Sequence, residues 1–448
     1  MIDKLNIILL SGGSGKRLWP LSNDIRSKQF IKFFKKPDSV SDGENDYESM
    51  VQRIYRQIKT VAPDASVTIA TSKSQVSAIH NQLGDDVGIS VEPCRRDTFA
   101  AIALATAYLH DVKGIDSSEA VVVCPVDPCV EDDYFHCLKA MSQAASQGKE
   151  NLILMGIKPT YPSEKYGYII PMQDPDGNWN FTFTEKPTQD KAEEYIAQGA
   201  FWNGGVFAYR LKYVLEKSVE LLGTASYDEL FRGYGNLKKI SFDYAVVEQE
   251  KSIKMLQYSG TWKDLGTWNT LTEAMDESVI GNARLNDSCR NVHVINELGI
   301  PILVMGCRNL VVSASPDGIL VSDKDASSGI KPYVDSIDQQ IMYAEKSWGN
   351  YQVIDIKEKS MTIKVTLNPG KKMNYHSHDN RDEVWTVVSG QGKAVVDGIE
   401  RPVKIGDVIK LPAGSRHMVF AETKLVIIEI QLGENISVKD KHKYDMEI

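Results

Sequence analysis

The sequence predicts an α/β protein: a doubly wound sheet, mixed but mostly parallel, followed by a short β-rich segment and a C-terminal β-barrel. Three changes of pattern along the chain carry that expectation. To about residue 275, short apolar runs such as "NIILL", "SVTIA", "AVVVCP" and "NLILMGI" alternate with longer stretches such as "SMVQRIYRQIKTV" and "DTFAAIALATAYLHD". Continuous apolar strands between helical patterns belong to a sheet covered on both faces, and such sheets hold ligands beyond the carboxyl ends of their strands. From about 280 to 335 the helical period vanishes. Val and Ile runs broken by Gly, Asn and Asp predict β structure there, a few rungs of a β-helix or a small joining sheet. From about 346 onward, short strands with closely spaced turn residues predict a small antiparallel barrel or jelly roll.

A chain of 448 residues exceeds what one core organises, and the expected division is 1–278, 279–340 and 341–448. The acidic stretch 35–50, "KKPDSVSDGENDYESM", is expected to be a lid or a variable loop. The charged tail "SVKDKHKYDMEI" is expected to be a loosely held surface segment. The net charge of −9 argues against nucleic-acid or membrane-surface partners, which call for a basic face. The N-terminus lacks a signal-peptide pattern, and no apolar run reaches the ~20 residues of a membrane span. Six cysteines without a regular framework read as reduced thiols, so a cytoplasmic location is expected.

The stretch "LLSGGSGKRLWPLSNDIRSKQF", residues 9–30, joins a glycine-rich loop to a set of cations. It lacks the Gly-x4-Gly-Lys-Ser/Thr order of an ATPase loop and the third glycine of a dinucleotide fingerprint. What remains is a strand, a turn in which Ser11, Gly12, Gly13 and Gly15 let backbone N–H groups approach phosphate, and then Arg17.

A second cluster lies in "GKKMNYHSHDNRDEVWTVVSG" and "GDVIKLPAGSRHMVF". The spacing of Gly370, His376, His378, Glu383 and Gly390, then Gly406, Pro412, Gly414 and His417, matches both motifs of the cupin barrel except for Ala421 in place of a final asparagine. His376 and His378 share one face of a strand, and Glu383 and His417 can converge from neighbouring strands. Three imidazoles and a carboxylate suit a divalent transition metal, Zn, Mn, Fe or Ni.

The loop, followed by "EPCRRDTFAAIALA", "CPVDP", "GIKPTYPSEKYGYI", "FTEKP", "FWNGGVFAY", "ISFDYAVVE" and "WKDLGTW", resembles the sugar-nucleotide pyrophosphorylases, specifically the mannose-1-phosphate guanylyltransferases. The resemblance implies the nucleotide-diphospho-sugar transferase fold and a Mg²⁺-assisted, in-line attack of mannose 1-phosphate on the α-phosphate of GTP. It implies Arg17 and Lys28 as phosphate contacts and Asp127 and Asp264 as Mg²⁺ ligands. Ser11, Gly12, Gly13, Gly15, Glu92, Arg96, Asp97 and Thr98 would bind the nucleotide, and Gly167, Glu185, Lys186 and Asn203 the sugar phosphate. A homo-oligomer, a dimer, is the expected assembly.

Three residues depart from the family pattern: Asp97 where asparagine is usual, Lys16 where threonine is frequent, and Ser27 where proline precedes "KQF". A pyrophosphorylase for another nucleotide or another hexose 1-phosphate stays open, since the Asp97 carboxylate accepts from guanine N1–H but cannot donate to O6. The cupin part resembles type II mannose-6-phosphate isomerases, which would add mannose 6-phosphate as a substrate. His376-Ser-His378-Asp-Asn-Arg381-Asp-Glu383 differs from that type's His-His-His-Arg-x-Glu string, so a non-catalytic barrel stays open. A sugar-nucleotide sensor whose only active part is the cupin is the third alternative.

Overall fold

The computed structural model describes residues 4–13, 16–37, 46–173, 179–337, 340–434, 436 and 440–445. The chain forms two compact units, Met1–Gly15 with Ser27–Asp276, and Lys16–Arg26 with Glu277–Ile448. Among the described residues no helix is long and apolar enough to cross a membrane.

Among the described residues, the first unit is built on a nine-stranded sheet. Asn6–Ser11 lies between Ser66–Ser72 and Ala120–Pro125, parallel to both, and Gly88–Glu92 continues the parallel half. The other half turns around Phe201–Arg210, which runs antiparallel to Ala120–Pro125, Leu152–Ile157 and Tyr168–Gln173. Alternation along the strands feeds two cores. Ile7, Leu9 and Val122 pack with Ile54 and Ile58 of helix Met50–Val61 and with Leu138 and Met141 of Asp132–Gln147. Ile8, Val121 and Val123 face the other way, onto Phe99, Ile102 and Ala103 of helix Asp97–Ala107 and Val214 of Leu211–Leu222. Side chains that alternate between two apolar layers are what make these strands read as continuous hydrophobic runs.

Part of the stretch expected to be a lid or loop is regular structure. Tyr47–Ser49 pairs antiparallel with Lys32–Lys35, and Ser49 caps the next helix in a capping box with Gln52. Residues 38–45 lie outside the described part.

In the second unit, Val279–Gly281, Arg290–Asn296 and Arg308–Ser315 pair in parallel, each a rung on the next, with Gly318–Asp323 antiparallel at the end. Val292, Val294, Val304 and Val312 fill the small interior. Among the described residues, the C-terminal part is two antiparallel sheets of six and five strands facing each other over Trp385, Val387, Val419 and Ile427, the jelly-roll expectation. The described part of the tail, residues 440–445, corrects its expectation, the remainder lying outside the described residues: His442–Lys443 pairs with His376–Ser377, and the Tyr444 ring packs on Tyr375. Residues read as surplus charge form an edge of the barrel.

Candidate functional site

In the first unit the carboxyl ends of the parallel strands open onto a cavity of ≈ 540 Å³. Ser11, Gly12 and Gly13 line it, with Glu92, Arg96, Asp97 and Thr98 from the strand end and helix start that follow. A second cavity of ≈ 220 Å³ is lined by Gly167, Glu185, Asn203 and Asp264. Asp127 and Asp243 line both. The sheet topology thus brings together residues scattered over most of the unit, as the sequence predicts. Gly15 lies outside the described residues.

Lys28 begins the short turn Lys28–Phe30, pinned under the loop by Gln29 Nε2, which donates to Ser11 Oγ at 3.0 Å. Its ammonium sits 2.7 Å from Asp127 Oδ2 and donates to Leu265 O at 3.3 Å. Ser27, off the family pattern, is buried and donates from Oγ to Gly13 O at 2.9 Å while accepting from Gln75 Nε2. A proline could not make this link between loop and turn.

Asp127 and Asp264 come from distant parts of the sequence and are brought together by a two-stranded pairing: Pro128–Val130 pairs antiparallel with Trp262–Asp264, placing Asp264 opposite Pro128. Two carboxylates at one wall are the oxygen donors that Mg²⁺ takes, so the residues present fit that ion.

At the smaller cavity glycine is required at 167, where a Cβ would lie 2.6 Å from Glu185 Oε2 and 2.3 Å from the Phe183 ring. Glu185 is held by its N–H donating to Glu248 Oε1 at 2.9 Å and by Lys186 Nζ at 2.6 Å. The Lys186 side chain is half exposed and does not line either cavity. Asn203 Nδ2 donates to Asp243 Oδ1 at 2.8 Å. Burial first, then the Glu185 charge, pushes the Asp243 carboxyl up to about 7. In the sequence Asp243 lies inside "ISFDYAVVE" with no motif of its own to give it a role. Its signal was a lone acid opening a short helix, which is indistinguishable from a cap until Asn203 is seen beside it.

At the far end of the larger cavity, Asp97 has φ +68 and accepts from Thr98 N–H at 2.8 Å. Aspartate and asparagine both tolerate that left-handed backbone, which accounts for the departure at this position. The buried acid there is Glu92: Tyr234 Oη donates to Oε2 at 2.7 Å, and Oε1 faces Gly12. Burial raises its carboxyl above the usual range. Arg96 donates to Gly235 O. Arg17 lies exposed on the turn Lys16–Leu18, which packs within the second unit.

In the barrel, His376 stands opposite His417 in register, and ligand atoms of His376, His378 and His417 all lie within 4.8 Å of one another. Each Nδ1 faces a backbone carbonyl: Asn374 O at 2.6 Å, Asp440 O, and Ser415 O at 3.0 Å. That fixes the rings with Nε2 inward. Burial pushes His376 down to about 2 and His378 to about 4, so both are neutral imidazoles.

Glu383 Oε1 is 3.2 Å from His378 Nε2, and Oε2 is 3.4 Å from His417 Nε2. Ligands about 2.1 Å from one ion stand about that far apart. His417 Nε2 is buried and has no hydrogen-bond partner among the described residues. The set therefore fits a transition metal. Arg381 shares the site: Nε donates to Glu383 Oε1 at 2.9 Å and Nη2 to His378 Nε2 at 2.9 Å. Burial would raise Glu383, but His417, His378 and Arg381 outweigh it and hold the carboxyl well below the usual range. The adjoining cavity of ≈ 200 Å³ is lined by His376, His378, Arg381, Glu429 and Lys441 together with further polar and apolar side chains.

Sheet, glycine loop and paired acids define a nucleotide-handling transferase, and the nucleotidyl transferase family model matches residues 6–279. The chain belongs to that family. A second family model, mannose-6-phosphate isomerase C-terminal, matches residues 335–445. The mannose-1-phosphate guanylyltransferase of Escherichia coli (strain K12) is 27% identical, covering 98% of this chain and 97% of that protein. The alginate biosynthesis protein AlgA of Pseudomonas putida is 29% identical over 98% of this chain and 95% of its own length. A solved structure from Thermus thermophilus, named a mannose-1-phosphate geranyltransferase, superposes with a TM-score of 0.61 at 26% identity, covering 74% of this chain and 98% of that one.

Proposed function

We propose that the protein makes GDP-mannose and pyrophosphate from GTP and mannose 1-phosphate. One observation carries this reading: a larger and a smaller cavity share Asp127, which is ion-paired to Lys28. A reaction between two phosphorylated substrates calls for two compartments meeting at a cation. Backbone N–H groups of Ser11–Gly13 receive phosphate oxygens, and Glu185 and Asn203 take sugar hydroxyls. Lys28, released from Asp127, screens the approach of one phosphate to the other. Asp127 and Asp264 would hold Mg²⁺, which when bound neutralises and orients phosphate oxygens. Arg17, four residues beyond Gly13 and so within roughly 14 Å of chain, contacts the triphosphate. The likeness to guanylyltransferases over nearly the whole chain supports the substrate pair.

The test is pyrophosphate release by the purified protein with Mg²⁺, mannose 1-phosphate and each nucleoside triphosphate in turn. Release is expected with GTP. Release with another nucleotide alone would move the reading to that base, and none with any nucleotide, nor with glucose 1-phosphate, would sink it.

The buried histidine set supports a second activity in the barrel, interconversion of mannose 6-phosphate and fructose 6-phosphate, with Zn, Mn, Fe or Ni held by His376, His378, His417 and Glu383. His376→Ala should abolish that conversion and leave pyrophosphate release intact. Six free cysteines support a reducing, cytoplasmic setting.

A further inference from the structure

The smaller cavity of the first unit is lined by four carboxylates, Asp127, Glu185, Asp243 and Asp264, and, among the described residues, by a single cation, Lys165. A sugar phosphate is itself an anion, so such a wall repels it unless cations offset the carboxylates. Two other lysines stand nearby, each beside an acid of the wall. Lys28 is paired with Asp127, and Lys186 Nζ lies 2.6 Å from Glu185 Oε1. Neither lines the smaller cavity.

The loop that carries Lys165 joins strand Leu152–Ile157 to strand Tyr168–Gln173 and is fixed at every residue around the lysine. The Tyr168 hydroxyl accepts from Ser163 N–H at 2.8 Å and from Trp202 Nε1 at 3.0 Å, and donates to Ser163 O at 3.1 Å. Ser163 is buried, and its Oγ accepts from Lys165 N–H at 3.1 Å. Glu164 Oε1 accepts from Gln189 N–H at 3.2 Å. On the other side, the Tyr166 ring packs against Trp202 and Trp262, with centroids 5.0 and 5.4 Å away, and Gly167 O accepts from Asn203 N–H at 2.8 Å. The backbone of Lys165 is thus held at the cavity wall. Its side chain is exposed and makes no hydrogen bond or ion pair among the described residues.

We infer that Lys165 is a further substrate contact of the transferase, an ammonium that receives the phosphate of the sugar substrate in the smaller compartment. This rests on the reading of that compartment as the place of mannose 1-phosphate. Glu185 and Asn203 are suited to hydroxyls and add no positive charge, so the phosphate is the part of the substrate that still lacks a counter-ion on this wall. A lysine anchored by its backbone, with a four-carbon stem free to turn, meets a phosphate as a point charge.

The test uses the full chain with Mg²⁺ and saturating GTP, varies mannose 1-phosphate, and adds methyl α-mannoside as a competitor that has the hydroxyls and no phosphate. Lys165→Met is expected to raise KM for mannose 1-phosphate about tenfold, the scale of one exposed charge-assisted contact, with kcat and KM for GTP changed less than about twofold. The inhibition constant of the mannoside should not move. Lys165→Glu should raise KM beyond Lys165→Met, and Lys165→Arg should restore most of the wild-type value. Three side chains at one exposed position keep the test open should one variant fold poorly. A wild-type KM in Lys165→Met and Lys165→Glu overturns the proposal. So does a mannoside constant that weakens as much as KM, since a hydroxyl contact or a disturbed loop would move both. Turnover by the wild type with indifferent variants removes this proposal alone. No pyrophosphate from the wild type with GTP and mannose 1-phosphate removes the reading of the compartment, and the proposal with it.

Discussion

The two candidate sites are built by opposite means. In the first unit, the groups of the larger cavity stand at strand ends, on a glycine loop and at a helix start, and the Asp127 that lines it is paired with the ammonium of Lys28. In the barrel, the histidines sit on or beside paired strands, are 2% exposed, and have each ring tied to a carbonyl. A site for highly charged, exchanging substrates carries movable charges that are satisfied until substrate replaces the partner. On the proposed reading of the histidine set as metal ligands, a site for a resident ion is rigid before the ion arrives.

The comparison breaks most visibly at Lys28. Lys28→Ala should cut the rate of pyrophosphate release by roughly 10²–10³, corresponding to ~3–4 kcal/mol of transition-state stabilisation, while the thermal midpoint hardly moves. A matching loss of stability would show that the Lys28–Asp127 pair is structural instead.

The rigid site is sharpened at Asp440, whose carbonyl faces His378 and whose carboxylate accepts from the N–H groups of Asp379 at 2.9 Å and Asn380 at 3.0 Å. Asp440→Ala should weaken metal binding about 10–100-fold, measured by competition with a chelator. Unchanged affinity would mean that the carboxylate tie to Asp379 and Asn380 does not help to hold the His378 ring.

The smallest effect belongs to Asp243. Its folded-state carboxyl, at about 7, lies above the unfolded value of ~3.9, so the folded chain binds the extra proton between those limits. This group's contribution to stability therefore falls as pH rises from ~4 to ~7. Asp243→Asn should raise stability on the order of 1 kcal/mol at pH 8, discounted because the group borders a solvent-filled cavity, and by nothing at pH 4. Melting curves at both pH values check it, and an equal gain at both would exclude titration as the cause.

Much of this was legible in the sequence. Ser11, Glu92, Asp127, Glu185, Asn203 and Asp264 fall in short motifs around strand ends, and strand ends are where a doubly wound sheet exposes side chains. The HxH spacing is legible because a pleat forces residues two apart onto one face. What was illegible depends on partners remote in sequence. Asp243 acquires meaning only beside Asn203, and the tail looks like solvated charge until Asp440 meets His378. The loop 9–30 reads as one motif, although Arg26 needs Glu297 to hold it. No local pattern encodes such pairings, since each side chain is an ordinary surface residue by type.

The short pairing of Pro128–Val130 with Trp262–Asp264 bears on how the molecule is made as well as on what it does. It closes a loop spanning roughly half of the first unit, and contacts so far apart in sequence are slow to form. On the proposed reading of Asp127 and Asp264 as magnesium ligands, neither acid completes the site until that loop has closed. During refolding, magnesium competence should therefore lag behind the recovery of helical signal, and the delay between them would time the closure of the chain on itself.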